Sequence, residues 1–193
     1  MAYTTVPTVS AGDVWTAGNQ NTYVRDNING LLATVKIVSV KYAEFTGTQS
    51  ASLDAGNNVA ITDLSISHAL AKSTNKVLLL AQVGQTGHNN TLAETGIAFA
   101  VDGTLISVGD SPSARIPVGA VGKIVTGATY AALSHFIQTV YEPATVAEKI
   151  YTLRAINAFN STKTVYINRA ELDTDNGQFK RAVSSLLLIE LEG

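Results

Sequence analysis

Gly96-Ile97-Ala98-Phe99-Ala100-Val101-Asp102-Gly103 is the stretch that decides the fold. Ile97, Phe99 and Val101 recur at a period of two, which turns all three to one side of an extended chain, the mark of a half-buried strand. Asp102-Gly103 then supplies a tight turn, since both residue types tolerate the positive φ that a two-residue connection needs.

The same alternation of apolar run and turn signal fills the sequence on either side. Strands are expected at Val35 to Phe45, Val59 to Ile66, Val77 to Val83, Ile124 to Tyr130, His135 to Tyr141, Ile150 to Phe159, Val165 to Ala170 and Ser185 to Leu191. Between them lie Asp54-Ala55-Gly56-Asn57-Asn58, Asn160-Ser161-Thr162 and Asp173-Thr174-Asp175-Asn176-Gly177, all rich in turn formers. Hairpins are expected to outnumber crossovers, with one longer irregular stretch from Gly103 to Gly122 and a long hairpin from Tyr151 to Glu171. This count of short strands predicts an all-β domain over residues 34–193, an antiparallel two-sheet jelly-roll sandwich.

Leu186-Leu187-Leu188-Ile189 departs from the alternation. Both faces of that strand are apolar, as in a strand covered on both sides, so something besides the sandwich interior is expected against it. A neighbouring copy of the chain, contributing a standard contact of ~800 Å² per partner, would supply that cover.

Before Thr34 the period changes. Ala11-Gly12-Asp13 forms a turn, Thr16 can cap a helix, and Val24, Ile28, Leu31 and Leu32 follow at helical spacing. Residues 1–33 are therefore expected to be an arm holding one short α-helix, with Trp15, the sole tryptophan, just ahead of it. An isolated helix of this length is marginal in water, so its apolar stripe must dock on the same chain, a second copy or another protein. Val14, Trp15, Tyr23, Val24, Ile28, Leu31 and Leu32 are the candidate anchoring residues.

At 193 residues the chain suffices for one sizeable core. Hydrophobic residues make up 46% and charged residues only 15%, against the roughly 25% of an average globular protein, which favours assembly over a solitary monomer. The net charge is −2 and Lys and Arg are scattered singly, so no basic surface for nucleic acid is expected. There is no cysteine, which removes disulfides and thiolate metal sites. No run approaches the ~20 apolar residues of a membrane span, and no basic start with an apolar run suggests a signal peptide.

Two resemblances sharpen this picture. Val9-Ser10-Ala11-Gly12-Asp13-Val14-Trp15-Thr16-Ala17, continuing through Asn21, Tyr23 and Arg25-Asp26-Asn27 to about Leu32, resembles an N-terminal signature of tailed-bacteriophage structural proteins, in which a short helix precedes a β-rich domain. The match covers about a sixth of the chain and departs from the commoner pattern at Gly18. The rest resembles the tumour-necrosis-factor-like jelly roll in its Asn75-Lys76-Val77-Leu78-Leu79-Leu80 strand start, its Tyr151 to Glu171 segment and its closing Leu186 to Ile189 strand. That likeness implies a homotrimer in which residues of the outer sheet pack against the next copy, here Tyr141, Tyr151, Phe159, Tyr166, Leu187 and Ile189. For each aromatic, the interior of a single sandwich is the competing location.

Catalytic patterns are lacking. His68, His88 and His135 are isolated from one another in sequence, with no zinc-type spacing. Gly119-Ala120-Val121-Gly122-Lys123-Ile124 lacks the first glycine and the final Ser/Thr of a phosphate loop and reads as a loop beside a strand. Gly109-Asp110-Ser111-Pro112-Ser113 lacks the last glycine of a nucleophile elbow. Asp173 to Gly177 could hold calcium but lacks a distal Glu, and reads as a turn. The expectation is a protein with no enzymatic activity, cofactor or metal: a homotrimer decorating the capsid exterior of a virion, gripping the major capsid protein or another virion protein through its arm. The alternative is a tail or baseplate adhesin for a host-surface glycan, for which Gln85-Thr86-Gly87-His88-Asn89-Asn90 offers polar groups but no aromatic platform.

Overall fold

A computed structural model describes residues 36–89, 94–111, 113, 115–123, 133–173 and 181–193. The expected arm helix with its anchoring residues Val14, Trp15, Tyr23, Val24, Ile28, Leu31 and Leu32, the expected strand from Ile124 to Tyr130 and most of the Asp173 to Gly177 turn lie outside the described residues.

The described chain is all-β, and its strands form two antiparallel sheets. In chain order they are β1 (Ile37–Phe45), β2 (Gln49–Leu53), β3 (Asn58–His68), β4 (Lys76–His88), β5 (Glu94–Val101), β6 (Thr104–Ile106), β7 (Ala120–Lys123), β8 (Leu133–Tyr141), β9 (Lys149–Asn157), β10 (Lys163–Ile167) and β11 (Ser184–Leu191). The first sheet runs β1-β11-β4-β10-β2, with β8 on the other side of β4; the second runs β3-β9-β5-β6, with β7 also on β5. Successive strands cross between the sheets at β2 to β3, β3 to β4, β4 to β5, β7 to β8, β8 to β9 and β9 to β10, the jelly-roll habit.

The expected predominance of hairpins is therefore corrected. Among the described strands, β5 and β6 are the one pair joined by a short loop and hydrogen-bonded to each other. Val101 faces Thr104 across the turn, and Asp102 and Gly103 have φ of 49° and 84°, the type I′ geometry that their residue types favour. Tyr151 to Glu171 is no hairpin, because β9 belongs to the second sheet and β10 to the first. Turn residues mark where a chain reverses, and say nothing about which sheet receives the next strand. The stretch from Gly103 to Gly122 likewise contains β6 and most of β7, so the glycine cluster lies largely in a strand rather than a loop.

β4 divides the first sheet into two halves. Its register against β8 shifts between Val83 and Thr86, where Gly84 is indispensable: a Cβ there would lie 2.3 Å from the Val183 carbonyl oxygen. Before the break β4 pairs with β11, and β1 lies beyond it; after the break it pairs with β10, and β2 lies beyond that. The half holding Ile37, Lys76 and Leu191 is the base end, where residue 36 joins β1, and the half holding His88, β2 and β10 is the distal end.

The core fills the space between the sheets. Val77, Leu79, Ala81, Val83, Leu186 and Leu188 of the first meet Ile61, Leu64, Ile97, Phe99, Leu153 and Ala155 of the second. Each fully buried Leu or Ile contributes about 1.5–3 kcal/mol relative to exposure. Two polar groups tie strand ends into this core. Asn168, at a φ of 61°, donates through Nδ2 to the carbonyls of Phe45 (2.8 Å) and Gly47 (3.0 Å) and accepts from Ser184 Oγ (2.6 Å). Glu190 does the same at the base end, as described below.

A candidate interaction surface on the first sheet

The two sheets treat their outer faces differently. On the second sheet, alternation turns Ala98, Ala100 and Ile156 outward, yet all three are completely buried. The segment joining β6 to β7 lays Val118 over this face, so that a Cβ on Gly96 would come 2.4 Å from Val118 Cγ1 and 3.4 Å from Ile156 Cβ. The chain thus covers part of that face itself, and the small residues beneath make room for the cover.

The first sheet has no such cover among the described residues. Strand register aligns Val40, Ile189, Leu78 and Val140 in one row across four strands, and Tyr42, Leu187, Leu80 and Gln138 in the next. A third row holds Glu44, Ser185, Gln82 and Phe136. Tyr42 and Phe136 are 60% and 63% exposed, and Val40 and Val140 are more than half exposed. Two apolar rows across four strands at ~4.8 Å spacing, extended by Phe136 from the third, give an apolar patch of roughly 200–300 Å² in projection, approaching the size of the largest patch on a typical monomer, which is often functional. The two central rows carry no charge.

Leu187 and Ile189 lie on this face, while Leu186 and Leu188 are fully buried in the core, so the four-residue apolar run divides between the two sides as expected. Tyr166 lies on the outer side of the distal half, opposite Gly87 and Ser50, with the Arg169 guanidinium 4.9 Å from its ring centroid. Tyr151 needs correction: it is 1% exposed, inside the sandwich, because the inward parity of β9 carries Tyr151, Leu153 and Ala155. Burial first, then the neighbouring Tyr141, Asp102 and Glu190, push its hydroxyl up to about 12. Tyr141 also turns inward and meets Tyr151 edge-on at 6.4 Å. Phe159 lies in the β9–β10 connection, with Lys163 Nζ 5.5 Å from its ring centroid.

Reasoning from sequence missed Val40, Tyr42, Leu78, Leu80, Phe136 and Val140 as surface residues. One signal was present: Val77-Leu78-Leu79-Leu80 is apolar at both parities, as is Leu186 to Ile189. For β1 and β8, only the register shows that their apolar parity faces outward.

The polar clusters do not form a catalytic arrangement. Glu190 is 1% exposed and accepts at Oε1 from Asn75 Nδ2 (2.6 Å) and the Ala71 N–H (2.8 Å), and at Oε2 from His68 Nε2 (2.9 Å) and Ser39 Oγ (3.3 Å). Burial pushes this carboxyl up, but these hydrogen bonds, that from Asn75 foremost, outweigh it and hold the group below the ordinary carboxylate range. Ser39 also approaches His68 at Nε2, the nitrogen bonded to Glu190, whereas a relay needs serine and acid on opposite ring nitrogens. Asp173 is engaged by Arg181 at 2.9 and 3.1 Å. Among the described residues no three His, Asp or Glu side chains gather to hold a metal. Thr86, Gly87 and His88, part of the expected polar loop, are buried within β4.

A cleft of about 370 Å³ opens at the distal end of the second sheet, lined by Glu94, Arg115, Ile116, Val118, Val121, Ala158 and Asn160. Its walls are aliphatic, and its polar groups are a guanidinium, a carboxylate and an amide. Neither the models of protein families nor the curated proteins contain a match to this chain.

Proposed function

We propose that this chain is a non-enzymatic structural protein of a tailed-phage virion, a homotrimer that assembles through the outer face of its first sheet and decorates the capsid exterior, held there by residues 1–33. The observation that carries the assembly is the row Val40, Ile189, Leu78 and Val140, which no other described segment covers, whereas part of the other sheet is covered by the chain itself. A second copy suits this face because the central rows hold no charge to repel their own image, and Ser185, Gln82 and Gln138 furnish a polar rim. The phage context rests on the N-terminal resemblance.

Sedimentation velocity of the full chain tests the assembly. A trimer is expected, and Leu187→Lys with Phe136→Lys should yield a monomer with an unchanged circular dichroism spectrum; a monomeric unmodified chain would defeat the proposal. Deletion of residues 1–33 should then abolish binding to capsids while preserving the trimer. The distal cleft favours a second reading, a tail adhesin that holds a host glycan between Arg115 and Asn160. Gold-labelled antibody over particle heads supports decoration, and label at the tail tip supports the adhesin.

A further inference from the structure

Two of the three histidines share a setting that the assembly does not use. His88 is 5% exposed, and no hydrogen bond of normal geometry reaches either ring nitrogen from the described residues, although the Asn157 side chain lies close enough to favour its charged form. Such an orphaned buried group is rare enough to require an explanation. His135 is 7% exposed, with Nε2 2.8 Å from Thr86 Oγ1. Both lie on the inner side of the distal half, beyond or beside the break at Gly84.

We propose that the distal end is an acid-sensitive section of the sandwich, which loosens when His88 and His135 take up protons while the base end and its apolar face stay closed.

The charges around the pair would not stabilise imidazolium. Lys163 on β10 is the charge felt by His88, and Arg169 follows that strand. Gly122 of β7 packs on His135. No carboxylate among the described residues contributes to the shift of either histidine: Asp54, after β2, accepts from Thr162 Oγ1 at 2.6 Å, and Glu94 of β5 lines the outer cleft. The adjoining segments 90–93 and 124–132 contain no Asp or Glu at all. Burial accordingly lowers both histidines below their ordinary value of 6.5, with Lys163 adding to the shift at His88 and the Asn157 side chain opposing it. A histidine lowered in the folded state lends stability that is complete above its unfolded value and is lost as pH falls from there toward the folded value.

At the base end the Glu190 carboxyl, held by its donors, stays ionised until below its ordinary range. A window between about pH 6.5 and about pH 5 therefore lies where the distal histidines take up protons while Glu190 keeps its charge.

Hydrogen exchange of the full chain, read by mass spectrometry at about pH 7.5 and about pH 5 and corrected for the intrinsic rate, tests this. Protection in 49–53, 86–89, 133–135 and 163–167 should fall by up to about tenfold per pH unit for each histidine protonated on opening, while 37–45, 76–82 and 185–191 hold theirs. The combined variant His88→Phe, His135→Gln should lose the response. Uniform loss over all strands, no loss, or a response that survives in the variant would overturn the proposal. Should the variant not fold, titration of the histidine resonances in the unmodified chain decides: both values below the ordinary one support the section, and either at or above it overturns the section.

Discussion

Glu190 remains charged inside the protein because four donors converge on its two oxygens, and its removal would leave Asn75, the Ala71 N–H and His68 pointing at nothing. Glu190→Ala should cost about 3–5 kcal/mol, read as a lower urea midpoint with an unchanged slope. Its carboxyl is lowered in the folded state, so the stability it contributes is present above the ordinary value of 4.5 and is lost as pH falls through the folded value; acid unfolding of the alanine variant should lack that limb. Tyr151 is the converse case, since its hydroxyl is buried with no hydrogen-bond partner among the described residues. Tyr151→Phe removes an unsatisfied polar group and keeps the ring, and should leave stability equal or raise it by up to about 1 kcal/mol in thermal unfolding. None of this was legible in the sequence. Glu190 stands at an apolar strand end and Tyr151 looked like an interface aromatic, and only the packing of β3, β4 and β11 around them shows which one has partners.

At the scale of elements, β11 makes a sharp comparison possible, because neighbouring leucines of one strand have different roles. Leu188→Ala opens a cavity in the core and should cost about 2–5 kcal/mol, whereas Leu187→Ser, one residue away on the outer side, should leave the folded chain nearly as stable and weaken association. Denaturation and sedimentation of the two variants separate these effects. The double-sided apolar run made that distinction readable in advance, and most strands were equally readable from their alternation. β2 was not: Gln-Ser-Ala-Ser-Leu pairs only with β10 at the sheet margin, and such an edge strand needs no apolar face of its own. β6 and β7 escaped for another reason. Both are too short to show a period, and they are held by pairing to β5 rather than by their own pattern.

For the whole molecule, alternation revealed the class and the two-sheet architecture but could not reveal pairing, since Val59, Val77 and Val165 look alike before one knows which sheet receives each. The interface suffers the same blindness. An outward apolar residue becomes a binding residue only if nothing else covers it, and that depends on Val118 reaching one sheet while no described segment reaches the other. If the first sheet's face joins three copies, folding and association are one equilibrium, and stability must depend on concentration. For three chains unfolding together, a tenfold rise in concentration adds two thirds of RT ln 10, about 0.9 kcal/mol per chain, and for a domain of this size that raises Tm by on the order of 2–4 °C. Phe136→Lys with Leu187→Lys should abolish the dependence. Ile150→Lys, an exposed apolar residue on the second sheet, should leave it intact, because the proposed interface lies on the first sheet. Calorimetric scans of the three proteins at two concentrations check all of this, and a Tm that ignores concentration in the unmodified chain would mean that the apolar face is covered by something other than its own copies.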